Sequence, residues 1–215
     1  MPRSAWLRHP LTSLLLLAAL GSLTALGAGS LIDWDETIYA TAARNIWQQG
    51  TWLSPLLNGQ PFTEKPPLVL WEMALSFAVL GVGEASARLP SALNSLVFLA
   101  ALWGIGARWG GRGFATRWAL LHTFAFFPLF LARSAVIDAT FNALMGLATF
   151  ALVEFDEAYG AFRSGKGTRA KHWLWLLGAA LALGLNVLAK GPLGGVVSLV
   201  AFAGLKLVRR SPAIQ

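Results

Sequence analysis

Residues 11–31, LTSLLLLAALGSLTALGAGSL, form a stretch of 21 positions without a charged side chain. As a helix rising 1.5 Å per residue it would be about 31 Å long, which matches the hydrocarbon core of a bilayer. We therefore expect a first transmembrane span here. A cleaved signal peptide is the alternative, because Arg3 and Arg8 precede the stretch and small residues crowd positions 25–30. In either case the two arginines predict a cytoplasmic N-terminus.

The composition of the whole chain also indicates a membrane protein. Of its 215 residues, 56% are hydrophobic and only 13% are charged, whereas about a quarter of the residues in a soluble domain are charged. This excludes a cytosolic globular enzyme and a disordered protein. The 17 Lys and Arg outnumber the 10 Asp and Glu, but this excess fits a membrane better than nucleic acid. There is no cysteine, and hence no disulfide or thiolate chemistry.

Further apolar runs follow the first one and are separated by short polar stretches. We expect an all-α integral membrane protein with about six transmembrane helices and one domain over residues 1–215. The predicted spans are residues 11–31, 89–107, 118–137, 139–155, 173–189 and 191–208.

The apolar run 68–80 is only 13 residues long and contains Glu72, so we expect it to be an interfacial helix rather than a seventh span. A seventh span would move three basic loops to the outer side, against the positive-inside rule. With six spans, 12 of the 17 basic residues face the cytoplasm. The net charge is then +9 inside and −2 outside.

The long outer loop, residues 32–88, opens with a second predicted interfacial helix, which ends at Gly50. Asp33, Asp35 and Glu36 fall at the start of this helix, where acids are favoured by capping and by the helix dipole. The functional alternative is a carboxylate at the water boundary that accepts a proton from a membrane-embedded substrate. Their position alone does not separate the two interpretations.

Other charged residues on the outer side are candidates for substrate binding. Lys65 lies just before the Pro66-Pro67 pair that starts the next helix, where free N–H groups attract anions such as phosphate; pairing with Glu64 is the structural alternative. Ionisable groups near membrane depth are costly and often functional, but long basic side chains also snorkel to the interface. The residues concerned are Arg133, Asp138 and Lys190. We expect Asn94 and Asn186 to form interhelical hydrogen bonds.

Four motifs in this order resemble a known family, the polyprenyl-phosphate-dependent glycosyltransferases that include protein O-mannosyltransferases and bacterial lipid A aminoarabinose transferases. The resemblance runs from about Asp33 to Pro192 and implies a GT-C-like membrane fold. The motifs are DETIYA at residues 35–40, FTEKPPL at 62–68, ARLPSA at 87–92 and AKGP at 189–192.

The resemblance implies roles for seven outer residues. Asp35 matches the family's general base, Glu36 is its usual neighbour, and Asp138 matches a second acid near the active site. Lys65 matches a lysine that contacts the lipid phosphate, and Glu64 precedes it and in some members helps to hold a divalent metal ion. Arg133 and Lys190 match positions where members keep basic residues, which we predict to bind substrate. No cofactor follows with certainty, and the metal requirement stays open.

The expected reaction is transfer of a sugar, with inversion, from a polyprenyl-phosphate donor to lipid A, a protein or a glycan. It would take place on the outer, periplasmic face of a bacterial inner membrane, among membrane lipids and without nucleic acid. Family members usually have several hundred residues, so an inactive truncated relative is an alternative. A transporter or flippase of lipid-linked or small polar substrates is the other alternative, because outer-face charges can line a translocation path.

Overall fold

The structure, a computed structural model, describes residues 10–32 and 34–210, so the predictions for Arg3, Arg8 and Asp33 lie outside the described residues. The described part is almost entirely helical, which confirms the predicted all-α class. Its elements are α1 (Pro10–Leu23), α2 (Asp35–Gln49), β1 (Leu56–Leu57), β2 (Gln60–Pro61), α3 (Leu68–Leu80), α4 (Glu84–Phe124), α5 (Phe126–Ala132), α6 (Ile137–Arg163), α7 (Arg169–Lys190) and α8 (Leu193–Arg210).

Three of the described helices are long and apolar enough to cross a membrane, namely α4, α6 and α7. The count of six spans therefore stays a prediction. Two compact units divide the chain at residues 140 and 141, and each is described by itself below. The single domain predicted for residues 1–215 likewise stays a prediction.

Helix α4 reverses direction at Gly111, whose φ of 77° and ψ of 173° are not helical. The rings of Phe98 and His122 lie 5.4 Å apart, although these residues are 13 and 11 positions from the glycine on opposite sides. Contact at matched distances from the turn requires two antiparallel arms, residues 84–110 and 112–124. This agrees with the prediction of two separate apolar runs in this part of the chain.

Helix α1 ends at Leu23, so the prediction of an apolar helix over residues 11–31 was wrong for its last third. The chain from residue 24 to 32 is a series of turns rich in glycine and other small residues. These turns leave backbone carbonyls without helical partners, and such groups need another donor when they are away from water.

The donor for three of these carbonyls is the side chain of Arg88, which is only 8% exposed. Its Nη1 donates to the oxygens of Leu26 at 3.0 Å and Gly29 at 3.2 Å, and its Nη2 donates to that of Ser30 at 2.9 Å. The remaining donors reach the Glu36 carboxylate, with Nε at 3.0 Å and Nη2 at 2.9 Å. All five N–H donors of a guanidinium are thus used.

Glu36, which is 2% exposed, uses its remaining acceptor sites on backbone N–H groups. Ile32 donates to it at 2.7 Å and Ala135 at 2.5 Å. Burial alone would raise the pKa of Glu36, but the hydrogen bonds from Arg88 and these two N–H groups outweigh it and hold the pKa below its ordinary value. The carboxylate therefore stays ionised and joins the turns after α1 to the segment before α6.

The outer loop contains both predicted helices. Helix α2 buries Ala42, Ala43 and Ile46 and ends at Gly50, whose left-handed φ of 70° closes the helix as expected. Helix α3 has the predicted bounds, and it packs between α2 and α4. A short antiparallel hairpin of β1 and β2 connects α2 to α3 in the chain, and it was not predicted. Its turn residues, Asn58 and Gly59, both have positive φ. The dipeptide Asn-Gly is a common sequence signal for such a hairpin turn.

The second unit, residues 141–215, packs α7 and α8 with the larger part of α6. Asn186 of α7 donates to the Phe141 carbonyl of α6 at 2.8 Å, and Ser198 of α8 donates to the Met145 carbonyl at 3.1 Å. The first bond confirms the interhelical role predicted for Asn186. The side chain of Asn186 also lies against Gly194 of α8, where a Cβ would be 1.9 Å from its Oδ1.

We expect Gly194→Ala to destabilise the protein by about 1–3 kcal/mol, because the added methyl would overpack this contact. Gly195→Ala is the matched control, since its Cβ would meet only Leu183 at 3.8 Å and alanine is the better helix former. The measurement is thermal unfolding in detergent, followed by circular dichroism. Equal melting temperatures for the two variants would contradict the packing argument.

We expect Glu36→Gln to cost about 3–5 kcal/mol, because it leaves the buried Arg88 charge without its partner. Glu157→Gln breaks the exposed pair with Arg209 and should cost about 0–1 kcal/mol. Denaturant unfolding in detergent compares the two variants.

The same pair predicts a pH dependence. The pKa of Glu36 is lower in the folded protein than its ordinary 4.5, so its contribution to stability is complete above that value and is lost as the pH falls through the folded pKa. Wild type should therefore lose more stability on acidification than Glu36→Gln does.

Candidate active site

Asp35 and Tyr39 form the centre of the candidate site, in the first unit. Asp35 is the first residue of α2 and is exposed, while Tyr39 is only 3% exposed. Residues four positions apart lie on the same face of a helix, and the Tyr39 hydroxyl donates to Oδ1 of Asp35 at 3.2 Å. The hydroxyl thereby orients the carboxylate at the start of the helix.

Three acids predicted for the site contribute to raising the pKa of the Tyr39 hydroxyl. Burial raises the pKa of Tyr39 most, and the negative charges of Asp35, Asp138 and Glu64 raise it further. Tyr39 therefore keeps its proton and remains a hydrogen-bond donor at physiological pH. The charges that reach this hydroxyl thus come from the start of α2, the loop before α3 and the first turn of α6.

Asp138 is half-buried and lies in a segment that two carboxylates hold in place. On one side Glu36 accepts the backbone N–H of Ala135. On the other side the Thr140 hydroxyl donates to Oε2 of Glu72 at 2.9 Å. Both ends of the segment that carries Asp138 are therefore fixed by side chains of the outer loop.

Glu72, Asn94 and Thr140 form a polar cluster within otherwise apolar helices. Nδ2 of Asn94 lies 3.1–3.2 Å from both carboxylate oxygens of Glu72 and 2.7 Å from Oγ1 of Thr140, which confirms the interhelical bonds predicted for Asn94. Burial raises the pKa of Glu72, and the hydrogen bonds from Thr140 and Asn94 only partly oppose the shift. The cluster links α3, α4 and α6 in the first unit.

The predicted basic residues occupy three different settings. Lys65 is half-buried and precedes α3, next to the exposed Glu64, and none of the hydrogen bonds or ion pairs found among the described residues involves Lys65. Arg133 donates through Nη1 to the carbonyls of Gly21 at 2.7 Å and Thr24 at 2.9 Å.

Lys190 belongs to the second unit, where its Nζ lies 5.4 Å from the centre of the Phe141 ring. This is within the range of a cation–π contact. Glu36, although predicted with the catalytic residues, has its acceptor sites filled by Arg88 and two backbone N–H groups. Its contacts are those of a structural group.

The family resemblance implied one cofactor, a divalent metal ion with Glu64 as a ligand. Within residues 10–32 and 34–210, no group of three or more His, Cys, Asp or Glu side chains could hold a metal ion. The described residues alone do not make such a site, and we derive no step through a metal.

Sequence reasoning assigned no functional role to Tyr39, Arg88 or Glu72. The four-residue spacing from Asp35 was a usable signal for Tyr39. Arg88 falls inside a quoted motif, ARLPSA, but its acid partner is 52 positions away and only the fold brings the two together.

Comparisons with known proteins agree with this architecture. The model of the family described as dolichyl-phosphate-mannose-protein mannosyltransferase matches residues 10–209. A protein of Aquifex aeolicus is 31% identical over 165 residues, which are 76% of this chain and 30% of the relative. An undecaprenyl phosphate-alpha-4-amino-4-deoxy-L-arabinose arabinosyl transferase of Pectobacterium carotovorum is 27% identical over 200 residues, 93% of this chain and 34% of the relative.

Among solved structures, ArnT from Cupriavidus metallidurans in the apo state matches with a TM-score of 0.81 at 22% identity, covering 97% of this chain and 37% of that one. The same protein bound to undecaprenyl phosphate matches with a TM-score of 0.80. These likenesses show the fold, and they confirm the predicted GT-C-like membrane architecture. The chain spans about a third of the length of the curated relatives it matches. With its family model matched over residues 10–209, the chain belongs to the dolichyl-phosphate-mannose-protein mannosyltransferase family.

Proposed function

We propose that this chain carries the catalytic face of a glycosyltransferase that moves a sugar from a polyprenyl phosphate to an acceptor. The acceptor class is lipid A, a protein or a glycan, and the reaction takes place on the periplasmic face of a bacterial inner membrane. The N-terminus is then cytoplasmic, and the loop that carries Asp35 and Lys65 is periplasmic. Family membership and the undecaprenyl phosphate named for two of the matched proteins support the donor class.

One observation carries the proposal: the exposed carboxylate of Asp35, in the first turn of α2, is held at Oδ1 by the buried Tyr39 hydroxyl at 3.2 Å. The negative charges of Asp138 and Glu64 also reach this hydroxyl and help to raise its pKa. The neighbouring Glu36 has a separate partner in Arg88. Of the two adjacent acids, Asp35 is therefore the one that is exposed to a substrate.

In the proposed reaction Asp35 accepts the proton of the acceptor as the acceptor oxygen attacks the anomeric carbon. The bond between that carbon and the phosphate oxygen breaks on the opposite face, which inverts the configuration and releases polyprenyl phosphate. The Tyr39 hydroxyl holds one oxygen of Asp35, leaving the other for the acceptor. Asp138, whose charge reaches Tyr39, is the second acid, which positions the sugar or the acceptor.

Negative charge develops on the departing phosphate, so a nearby cation lowers the barrier. Lys65 is the candidate, because it precedes the N-terminus of α3, where the helix dipole adds to its charge. Arg133 supports it in the same unit. Lys190 is proposed to bind substrate on the strength of the family resemblance.

We expect Asp35→Asn to lower the transfer rate by about 10²–10⁴-fold, the usual contribution of a general base. Tyr39→Phe should lower it only about 3–10-fold, since it removes one hydrogen bond and keeps the carboxylate. Release of polyprenyl phosphate from a radiolabelled sugar–polyprenyl phosphate donor, in proteoliposomes with lipid A added, measures the reaction.

Glu84→Gln, at an exposed acid of the same outer loop, is the control and should transfer at the wild-type rate. Full activity of Asp35→Asn would remove Asp35 from the role of base. Movement of the intact donor across the bilayer without release of polyprenyl phosphate would point to a flippase instead.

We expect Lys65→Ala to raise the KM for the donor and to lower kcat about 10²-fold, because it removes charge from the departing phosphate. Arg44→Ala removes an exposed cation from α2 and is the matched control for loss of positive charge. Initial rates at varied donor and varied acceptor separate the effects. An effect on acceptor KM alone would contradict the phosphate assignment.

A further inference from the structure

A long groove with mostly apolar walls lies between α6 and α7 in the second unit, and it encloses about 610 Å³. On α7 its lining extends from Lys171 to Leu185. Fourteen residues of helix are about 21 Å long. Since a hydrocarbon core is about 30 Å thick, the groove is long enough to cover the depth of one leaflet.

The shape of the groove suits an extended hydrocarbon chain. Small residues face each other across it, because a Cβ added to Gly178 of α7 would lie 4.0 Å from that of Ala151 on α6. Leu174 and Leu185 both line the groove and are 68% and 40% exposed. The groove is therefore open at both of these positions, and hydrocarbon can enter it from the side.

One end of the groove is polar. Among the described lining residues only Lys171 is charged, and Trp175 lies one helical turn further along α7. From Trp175 to Leu185 the lining of α7 is apolar. Cation, aromatic ring and aliphatic surface thus follow one another in the order of head group, interface and core of a membrane leaflet.

The basic residues around this end have no acidic partner in the described part of the chain. Residues 158–171 contain four basic side chains and no Asp or Glu. None of the four makes a side-chain hydrogen bond or an ion pair with residues 10–32 or 34–210. They are Arg163, Lys166, Arg169 and Lys171.

The basic residues of α8 differ in this respect. Lys206 pairs with Asp156 of α6, and Arg209 pairs with Glu157. The exposed acids at this end of α6 are therefore used by α8. In addition, Arg169 and Lys171 lie in the first turn of α7, where the helix dipole disfavours positive charge. The folding of α7 thus does not account for these two cations.

The charge and the groove together select the ligand. The orientation of membrane proteins accounts for positive charge at this end of the helices, but it does not account for a cation in the lining of an apolar groove. Anionic lipids are attracted to clusters of basic residues beside membrane-spanning helices. An anionic phospholipid supplies both a phosphate for Lys171 and an acyl chain for the groove.

We propose that this groove binds an anionic phospholipid, with its phosphate at Lys171 and one acyl chain between α6 and α7. Arg163, Lys166 and Arg169 do not line the groove and contribute a general attraction for anionic lipid. In the proposed topology the lipid belongs to the cytoplasmic leaflet. This site is separate from the proposed sugar transfer, whose residues Asp35 and Lys65 belong to the first unit.

The test measures the fluorescence of Trp175 in nanodiscs of phosphatidylcholine that contain a varied fraction of phosphatidylglycerol with brominated acyl chains. Bromine quenches a tryptophan that it contacts, and the difference between wild type and Trp175→Phe isolates Trp175 from the other tryptophans of the chain. Brominated phosphatidylcholine at the same fractions measures contact with bulk lipid. We expect a preference for phosphatidylglycerol on the order of fivefold, the factor that one lysine contributes near anionic lipid.

Two charge variants test the role of Lys171. Lys171→Gln should remove the preference for phosphatidylglycerol at Trp175. Lys166→Gln removes the same charge from an exposed residue outside the groove, and it should keep most of the preference. An equal loss in the two variants would reduce the effect to a general attraction between lipid and basic residues, and it would overturn the site.

Two packing variants test the groove. Gly178→Leu places a side chain beside Ala151 and should lower the quenching of Trp175 by phosphatidylglycerol to the level of bulk lipid. Gly184→Leu is the matched control on α7, because Gly184 does not line the groove and nothing lies within 4 Å of an added Cβ. Ala182→Leu fills the same groove and replaces Gly178→Leu if circular dichroism shows that variant to be unfolded.

Two further outcomes would overturn the proposal. Equal quenching of Trp175 by the two brominated lipids means that bulk lipid alone fills the groove. No quenching by either lipid means that protein covers it, either a second copy of the chain or a helix of a partner. The test measures no sugar transfer, so its failure leaves the proposed function standing, and an inactive chain that passes it retains the lipid site.

Discussion

The ion pair between Glu36 and Arg88 is the interaction on which the rest of the first unit depends. A buried charge is tolerated only when it is paired and its hydrogen-bonding capacity is filled, and both conditions are met here. Arg88 donates hydrogen bonds to carbonyls of the segment after α1, and Glu36 accepts hydrogen bonds from N–H groups before α2 and before α6. One pair thus fixes the chain on both sides of the candidate active site.

This pair also explains why two adjacent acids have different roles. Successive residues of a helix point about 100° apart, so at the start of α2 Glu36 turns toward Arg88 while Asp35 stays exposed and meets Tyr39. Glu36 is satisfied by the protein itself. Asp35 has one fixed oxygen and one that can face a substrate. The environment, rather than the residue type, separates the structural acid from the proposed base.

The same reasoning separates the two arginines that hold the turns after α1. Arg88 has no donor left for a ligand, whereas only Nη1 of Arg133 donates to a partner within the described part of the chain. The proposed catalytic acids and the proposed phosphate contacts, Lys65 and Arg133, all belong to the first unit.

The sequence by itself determined the membrane class, the bounds of α3 and the end of α2 at Gly50, because composition, hydropathy and capping are local properties. The acids of the candidate site were predicted from the resemblance of their motifs to a known family. It did not determine where α1 ends or which of the adjacent acids Asp35 and Glu36 stays exposed. Both depend on Arg88, which meets Glu36 across 52 positions and also donates to the carbonyls of the segment after α1. Only the tertiary structure decides such contacts, since pairing between distant side chains leaves no periodic signal in either segment.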